Sequence, residues 1–129
     1  MRQAFALLEF GSVSAGLFTV DAMLKRSPVA LLRCGSVHPG RYLALVGGSV
    51  ASTEEAHAAG IAAAGRHDTF LDEVLLADPH PSLAGAVMGE RSAPGGDAVG
   101  VCEVSTSPSL LRVLDQVLKS MPIHLVEVR

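Results

Sequence analysis

The feature that most constrains this chain is a repetition that stops partway. Displaced by 94 positions, residues 5–35 fall on residues 99–129 without a gap. Glu9 meets Glu103, Leu17 meets Leu111, Asp21 meets Asp115, and Leu24 meets Leu118. Lys25 meets Lys119, Pro28 meets Pro122, and Leu31 meets Leu125. Elsewhere the apolar character persists, as in Leu7/Val101, Leu8/Cys102, Val29/Ile123 and Leu32/Val126. The shared core reads D-x-x-L-K-x-x-P-[VI]-x-L. Self-similarity at a fixed spacing means two copies of one folding unit. The second copy reaches only the position matching Gly35, so residues 36–88 have no counterpart. Gly89–Asp97, rich in Gly, Pro and charge, reads as a linker. The expected organisation is a complete unit over 1–89, a linker over 90–97, and a partial unit over 98–129. A partial unit carries an apolar face without its own partners, which calls for a second chain or further sequence to cover it.

Within the complete unit, Ala4–Phe10 is a short apolar run that suits a buried strand, with Glu9 as the exception. Ser12 can cap a helix in which Val13, Leu17, Val20 and Leu24 recur at helical spacing. Asp21 and Lys25 stand i, i+4 and can pair. Ser27-Pro28 ends that helix. Val29–Cys34 and Tyr42–Val46 read as a hairpin with an enlarged tip over residues 35–40. Ser52-Thr-Glu-Glu55 reads as a capping box opening a helix that ends at Gly65, with a small-residue stripe at Ala56, Ala59 and Ala63. Phe70–Leu76 reads as a fourth strand and Pro81–Met88 as a short helix. The order is β-α-β-β-α-β plus a short helix: an α+β, ferredoxin-like unit with helices on one side of a mainly antiparallel sheet. The partial copy is expected to supply β-α-β at Val99–Val104, Pro108–Lys119 and Ile123–Val128.

Composition removes several function classes. Aromatics are 4% with no Trp, which leaves little for base stacking. The net charge of −3, with Lys and Arg dispersed, supplies no phosphate-neutralising stripe, so nucleic acid is not an expected partner. No apolar stretch reaches the roughly 20 residues of a membrane span. Glu9, Asp21 and Lys25 interrupt the only region resembling a leader, so a cytoplasmic setting is the expectation. Cys34 and Cys102 form no CxxC site and are expected as buried strand residues.

The segments A-F-A-L-L-E (Ala4–Glu9), D-A-M-L-K (Asp21–Lys25) and P-V-A-L-L (Pro28–Leu32) resemble the bacterial microcompartment shell-protein (BMC) domain. The likeness runs on through the hairpin loop, Leu45-Val-Gly-Gly48, and Leu75-Leu-Ala-Asp-Pro-His-Pro81, and is greatest to the tandem-domain subclass of propanediol-utilisation shells. The resemblance implies a self-assembling shell protein, not an enzyme, that forms trimers mimicking hexamers with a central pore for metabolites. Its implied partners are other copies, other shell proteins and encapsulated enzymes. It implies that Ser36, Val37, His38, Pro39 and Gly40 line the pore. It also implies that Lys25 and Lys119 lie at tile edges, where Asp21, Arg26, Pro79 and His80 are further candidates. Close tandem relatives carry Cys where His38 stands, so their iron–sulfur cluster is not carried over.

Each candidate site also has a plain structural reading. Three copies of His38 around a three-fold axis suit Zn²⁺ or another first-row metal, or a pH-sensitive constriction. The plain reading is a polar turn. Asp78-Pro-His80-Pro81 lacks the nucleophile that a catalytic His requires, and reads as a proline-framed turn. His57 is expected on the surface, and His67 and His124 as isolated residues. Glu9 and Glu103, at equal places in two apolar strands, each call for a partner or water; the functional reading is a catalytic pair and the plain one a structural hydrogen bond. A second functional reading is a small regulatory module binding an anionic metabolite at the helix start near Ser52.

Overall fold

The computed structural model describes residues 3–38, 40–93 and 95–129, without the side chain of His38. Its elements are β1 (Ala4–Phe10), α1 (Val13–Arg26), β2 (Ala30–His38), β3 (Arg41–Gly48), α2 (Val50–Ala64), β4 (Phe70–Leu76), α3 (Pro81–Val87) and α4 (Ser107–Ser120). The four strands form one antiparallel sheet in the order β2-β3-β1-β4. β1 lies between β3 and β4 and is buried along its whole length. That position explains its unbroken apolar run, because side chains alternate between two covered faces. Phe5 and Leu7 point into one core with Leu43, Leu45 and Val74. Ala6, Leu8 and Phe10 point into the other with Tyr42 and Val46.

Helices cover both faces of the sheet, not one. α1 and α2 cover the Ala6/Leu8/Phe10 face, with Ala15, Met23, Ala56 and Ala64 in the shared core. α3 and α4 cover the other face through Leu83, Val87, Leu111 and Leu118. The single-sided expectation fails because α3 and α4 pack on the face opposite α1 and α2. An apolar sheet face must be buried against something, and α4 is the element within reach.

The buried side of α1 also differs from the sequence reading. Ala15, Gly16, Thr19, Val20 and Met23 face inward, whereas Val13, Leu17 and Leu24 are exposed. Close approach decides this. A Cβ built on Gly16 would stand 2.2 Å from Cδ1 of Tyr42, so only glycine lets the helix lie this near the sheet. Thr19 and Thr53 are fully buried, their hydroxyl oxygens making no hydrogen bond with another described group.

The two strands expected in the second copy do not form: residues 99–104 and 123–128 have no strand pairing. The sheet order gives the reason. β1 is paired by β3 and β4, and β2 by β3, but β1 and β2 never touch. A copy holding only β1-like and β2-like segments has nothing to pair them. Val99 and Val101 are accordingly exposed. α4 forms regardless, because helix hydrogen bonds are internal to the segment.

Three boundaries move. β2 and β3 extend to His38 and from Arg41, so the hairpin tip is tight and not enlarged. Pro39 lies outside the described residues. α2 is capped by Ser49, whose Oγ accepts from the Ser52 N–H at 3.2 Å, so Ser52 is inside the helix and not its cap. The glycine pair Gly47-Gly48 ends β3, and Ser49 is the first side chain able to cap.

Candidate functional site

The most elaborate polar arrangement among the described residues is the seat of α4 on the sheet and the β4–α3 turn. At its start, Thr106 caps the helix and Asp72 of β4 accepts from the Thr106 hydroxyl at 2.6 Å and the Ser109 hydroxyl at 3.0 Å. Burial pushes the Asp72 carboxyl up. The Thr106 hydroxyl, the Glu73 N–H, the Ser109 hydroxyl and the Arg112 guanidinium outweigh that burial and hold it below the usual carboxylate range. Glu9 is buried on the central strand. One of its oxygens accepts from Arg41 at 2.8 Å and the other from the Ser107 N–H at 3.3 Å. It therefore has the structural partner its sequence position demands, and it lies at the positive end of α4. Its repeat counterpart Glu103 is exposed.

At the far end, Asp115 is buried and accepts from the His80 N–H at 2.7 Å and from Lys119 at 2.7 Å. Lys119 also donates to the Asp78 carbonyl at 2.6 Å. The Asp115–Lys119 pair thus clamps the turn joining β4 to α3. Between the two polar ends, Leu111 and Leu118 fill the apolar core. Charged, hydrogen-bonded ends flanking an apolar strip fix the helix in one register, because a shift would strand a buried carboxylate.

The structure brings together only some of the residues expected at tile edges. Lys119 and the Pro79-His80 turn meet within the chain, with the Lys119 side chain still about half exposed. Asp21 and Lys25 pair at 2.7 Å on the exposed side of α1. Arg26 is bound to Glu55 of α2 at 2.6 Å. His80 caps α3, its Nδ1 accepting from the Ser82 N–H at 3.1 Å, which matches the plain turn reading.

Of the expected pore residues, Ser36 and Val37 lie at the end of β2, and the backbone of His38 pairs with Arg41 across the hairpin. Gly40 has φ 78°, a conformation that favours glycine at this tight tip. Ser36 and Val37 also border an open groove of about 480 Å³ beside α4, closed on one side by Glu127 and Arg129. Among the described residues no group of three or more His, Cys, Asp or Glu side chains could hold a metal ion.

Other expectations are corrected. His57 is not a surface residue: it is half-buried and contacts Glu73 of β4 at 2.5 Å, because α2 lies flat on the sheet there. Cys102 is exposed, since its strand does not form, and Cys34 is half-buried against the Tyr42 hydroxyl. Burial, followed by the Cys34 contact, pushes Tyr42 up to about 12. No helix among the described residues is long and apolar enough to cross a membrane. Asp115 carries a sequence signal in the repeated D-x-x-L-K, whereas Asp72, one of two adjacent acids in β4, carries none.

This arrangement is that of an α/β domain whose four-stranded sheet is covered by helices on both faces. Comparison with known proteins identifies its family. The BMC domain model matches residues 4–79, and the chain belongs to the BMC-domain family. It is 34% identical over 128 residues to the bacterial microcompartment shell protein PduT of Citrobacter freundii, across 99% of this chain and 68% of that protein. It is 27% identical over 125 residues to the carboxysome assembly protein CcmO of Synechococcus elongatus, across 89% of this chain but only 45% of that protein. A solved microcompartment protein from Desulfitobacterium hafniense superposes with a TM-score of 0.73 at 28% identity, covering all of this chain and 71% of that one. Like the shell proteins it resembles, this is a structural protein and not an enzyme.

Proposed function

We propose that this chain is a wall component of a bacterial microcompartment, working in the cytoplasm as a trimer whose hairpin tips surround a pore. The observation that carries the reading is the similarity to a shell protein along 99% of the chain, which includes the α4 region and not the first unit alone. The α4 seat adds physical support, because in this reading it is a contact between the complete unit and the start of a second one. In this reading residues 36–40 set the pore's width and polarity, with small side chains and backbone dipoles facing the passage. Three His38 side chains at the axis would form a metal-binding or pH-responsive ring. Asp21 and Lys25 act in assembly, together with other shell proteins that enclose enzymes.

The test is assembly. Purified chain co-expressed with its shell partners is examined by electron microscopy. Flat sheets or closed shells containing the chain support the proposal, and Lys25→Ala is expected to leave discrete oligomers and few sheets. A chain that never enters sheets or shells overturns it. Metal analysis of the purified assembly, with and without His38→Ala, tests the ring. Equal metal content removes the metal and leaves a polar pore lining.

A further inference from the structure

The groove beside α4 follows from the sheet register. Arg33 of β2 pairs with Leu45 of β3, Leu45 with Leu7 of β1, and Leu7 with Val74 of β4. Residues paired across strands share a face, so these four form one row across the sheet. α4 packs on β1 and β4 and covers the Leu7–Val74 end with Leu111. The Arg33–Leu45 end is left to the groove. In the next row Gly35 pairs with Leu43, and a Cβ built on Gly35 would meet no atom within 4 Å. β2 therefore puts no side chain over that end of the floor.

The lining combines a buried leucine floor with an excess of positive charge at the rim. Leu7, Leu43 and Leu45 are buried in one core cluster and line the groove. Arg33 is exposed and makes no hydrogen bond or ion pair with another described residue. The acid on the lining, Glu127, is already met by Arg129 at 3.3 Å and Arg91 at 3.8 Å. Three guanidinium groups thus stand against one carboxylate, in a chain whose formal charge is −3.

We propose that this groove binds a small amphipathic carboxylate, its chain lying on Leu7, Leu43 and Leu45 and its head held by Arg33. The volume of about 480 Å³ falls among those of small-molecule sites, and an apolar floor with one convergent polar group is their usual composition. From β2 to β1 is two strand spacings, about 10 Å, which gives a medium-length chain a bed across the sheet. A guanidinium can take both carboxylate oxygens at once. One unpaired guanidinium matches a single negative charge, and Glu127 on the same lining disfavours a doubly charged head. The site goes beyond the shell reading. Ser36 and Val37 border it, so in a shell the bound anion would lie beside the passage.

The test is a titration of the full chain, methyl-labelled for NMR, with sodium octanoate below its micelle concentration. Saturable shifts are expected at Leu7, Leu43 and Leu45. Hexanoate, shorter by two methylenes, should bind roughly tenfold more weakly. Arg33→Gln should weaken octanoate at least about tenfold, the loss of a charged hydrogen bond. Octan-1-ol, which has the chain without the charge, should bind the parent and Arg33→Gln alike. Arg66→Gln, which removes an exposed arginine elsewhere, should leave octanoate binding unchanged.

Absence of saturable shifts overturns the proposal, as do shifts centred on Leu17, Phe18 and Leu24 of α1. Equal octanoate binding by Arg33→Gln, or equal weakening by Arg66→Gln, does so too. Tighter binding of octyl phosphate than of octanoate overturns the carboxylate head. Arg33 is exposed, so its replacement leaves the fold standing, and the urea midpoint checks this. The titration needs no assembly, so its failure leaves the shell reading intact, and a chain that binds octanoate but never enters sheets or shells overturns that reading alone.

Discussion

Two glycines let α1 settle against the sheet and its neighbour α2, and replacing each with alanine separates two opposing effects. Alanine favours a helix interior over glycine by about 1 kcal/mol, through reduced freedom of the unfolded chain. At Gly16 the new methyl would stand 2.2 and 2.6 Å from two carbons of the Tyr42 ring. Ordinary contact begins near 3.4 Å, so the ring or the helix must move by more than an ångström. Tyr42 cannot swing aside freely, because it is buried and its hydroxyl contacts Cys34. Overpacking of this kind costs roughly 1–3 kcal/mol. Loss of the hydroxyl contact adds about 1 kcal/mol. The clash wins, and Gly16→Ala should destabilise by about 1–3 kcal/mol net.

At Gly60 the nearest atom is the Met23 sulfur at 2.9 Å, the far part of a flexible side chain, with a Leu8 methyl at 3.2 Å. Methionine adapts to such gaps, so helix preference offsets most of the strain and Gly60→Ala should fall within about 1 kcal/mol of the parent. Urea unfolding followed by circular dichroism measures both. With a slope of about 1–3 kcal/mol/M, Gly16→Ala should lower the midpoint by of order 1 M and Gly60→Ala by far less. A Gly16→Ala chain as stable as the parent would refute the close seating of α1 on Tyr42.

Asp115→Ala should cost roughly 1–3 kcal/mol, because the His80 N–H loses its acceptor in a buried place. Hydrogen exchange should show the loss concentrated in α4, and uniform loss across the sheet would contradict a local clamp. Asp72 is held below its ordinary value, so its contribution is present above the unfolded carboxyl value of about 3.9 and lost as pH falls through the folded value. Acid titration of the urea midpoint should show a fall below about pH 4 that Asp72→Asn reduces. Tyr42 runs the other way. Its value of about 12 means the folded state holds the proton more tightly, so its contribution is present below pH ~10 and lost as pH rises toward the folded value. Because Tyr42 is the one tyrosine in the chain, the ultraviolet tyrosinate band reports it directly, and a midpoint near 10 would contradict its burial beside Cys34.

Much of the fold is legible in the residues. β1 and β4 fall where their apolar runs end, and Ser12 caps α1 as its position implies. Those signals are local, so the chain carries them openly. The inward face of α1 is not local. Leu17 and Leu24 make the more visible stripe, but Gly16 and Ala15 are small enough for the helix to lie close to the sheet. Hydropathy periodicity registers large side chains, and here the tightest contact is made by the smallest. The failure of residues 99–104 to pair lies in strand order, which no short window contains. At the candidate site, the repeated Asp and Lys identify the clamp, whereas its receptor, the backbone of Asp78 and His80, has no side-chain signature.

The place of β1 between β3 and β4 bears on how the chain matures as it leaves the ribosome. β1 emerges before both strands that pair with it, and the second of them ends only at Leu76. Such distant pairing is slow to close, and until then both greasy sides of Ala4–Phe10 stay open to stray contacts. The segment that finally shields one of those sides is translated later still, at Ser107–Ser120. Newly made polypeptide is therefore most vulnerable at its amino-terminal end, and a holding chaperone would find its natural target there.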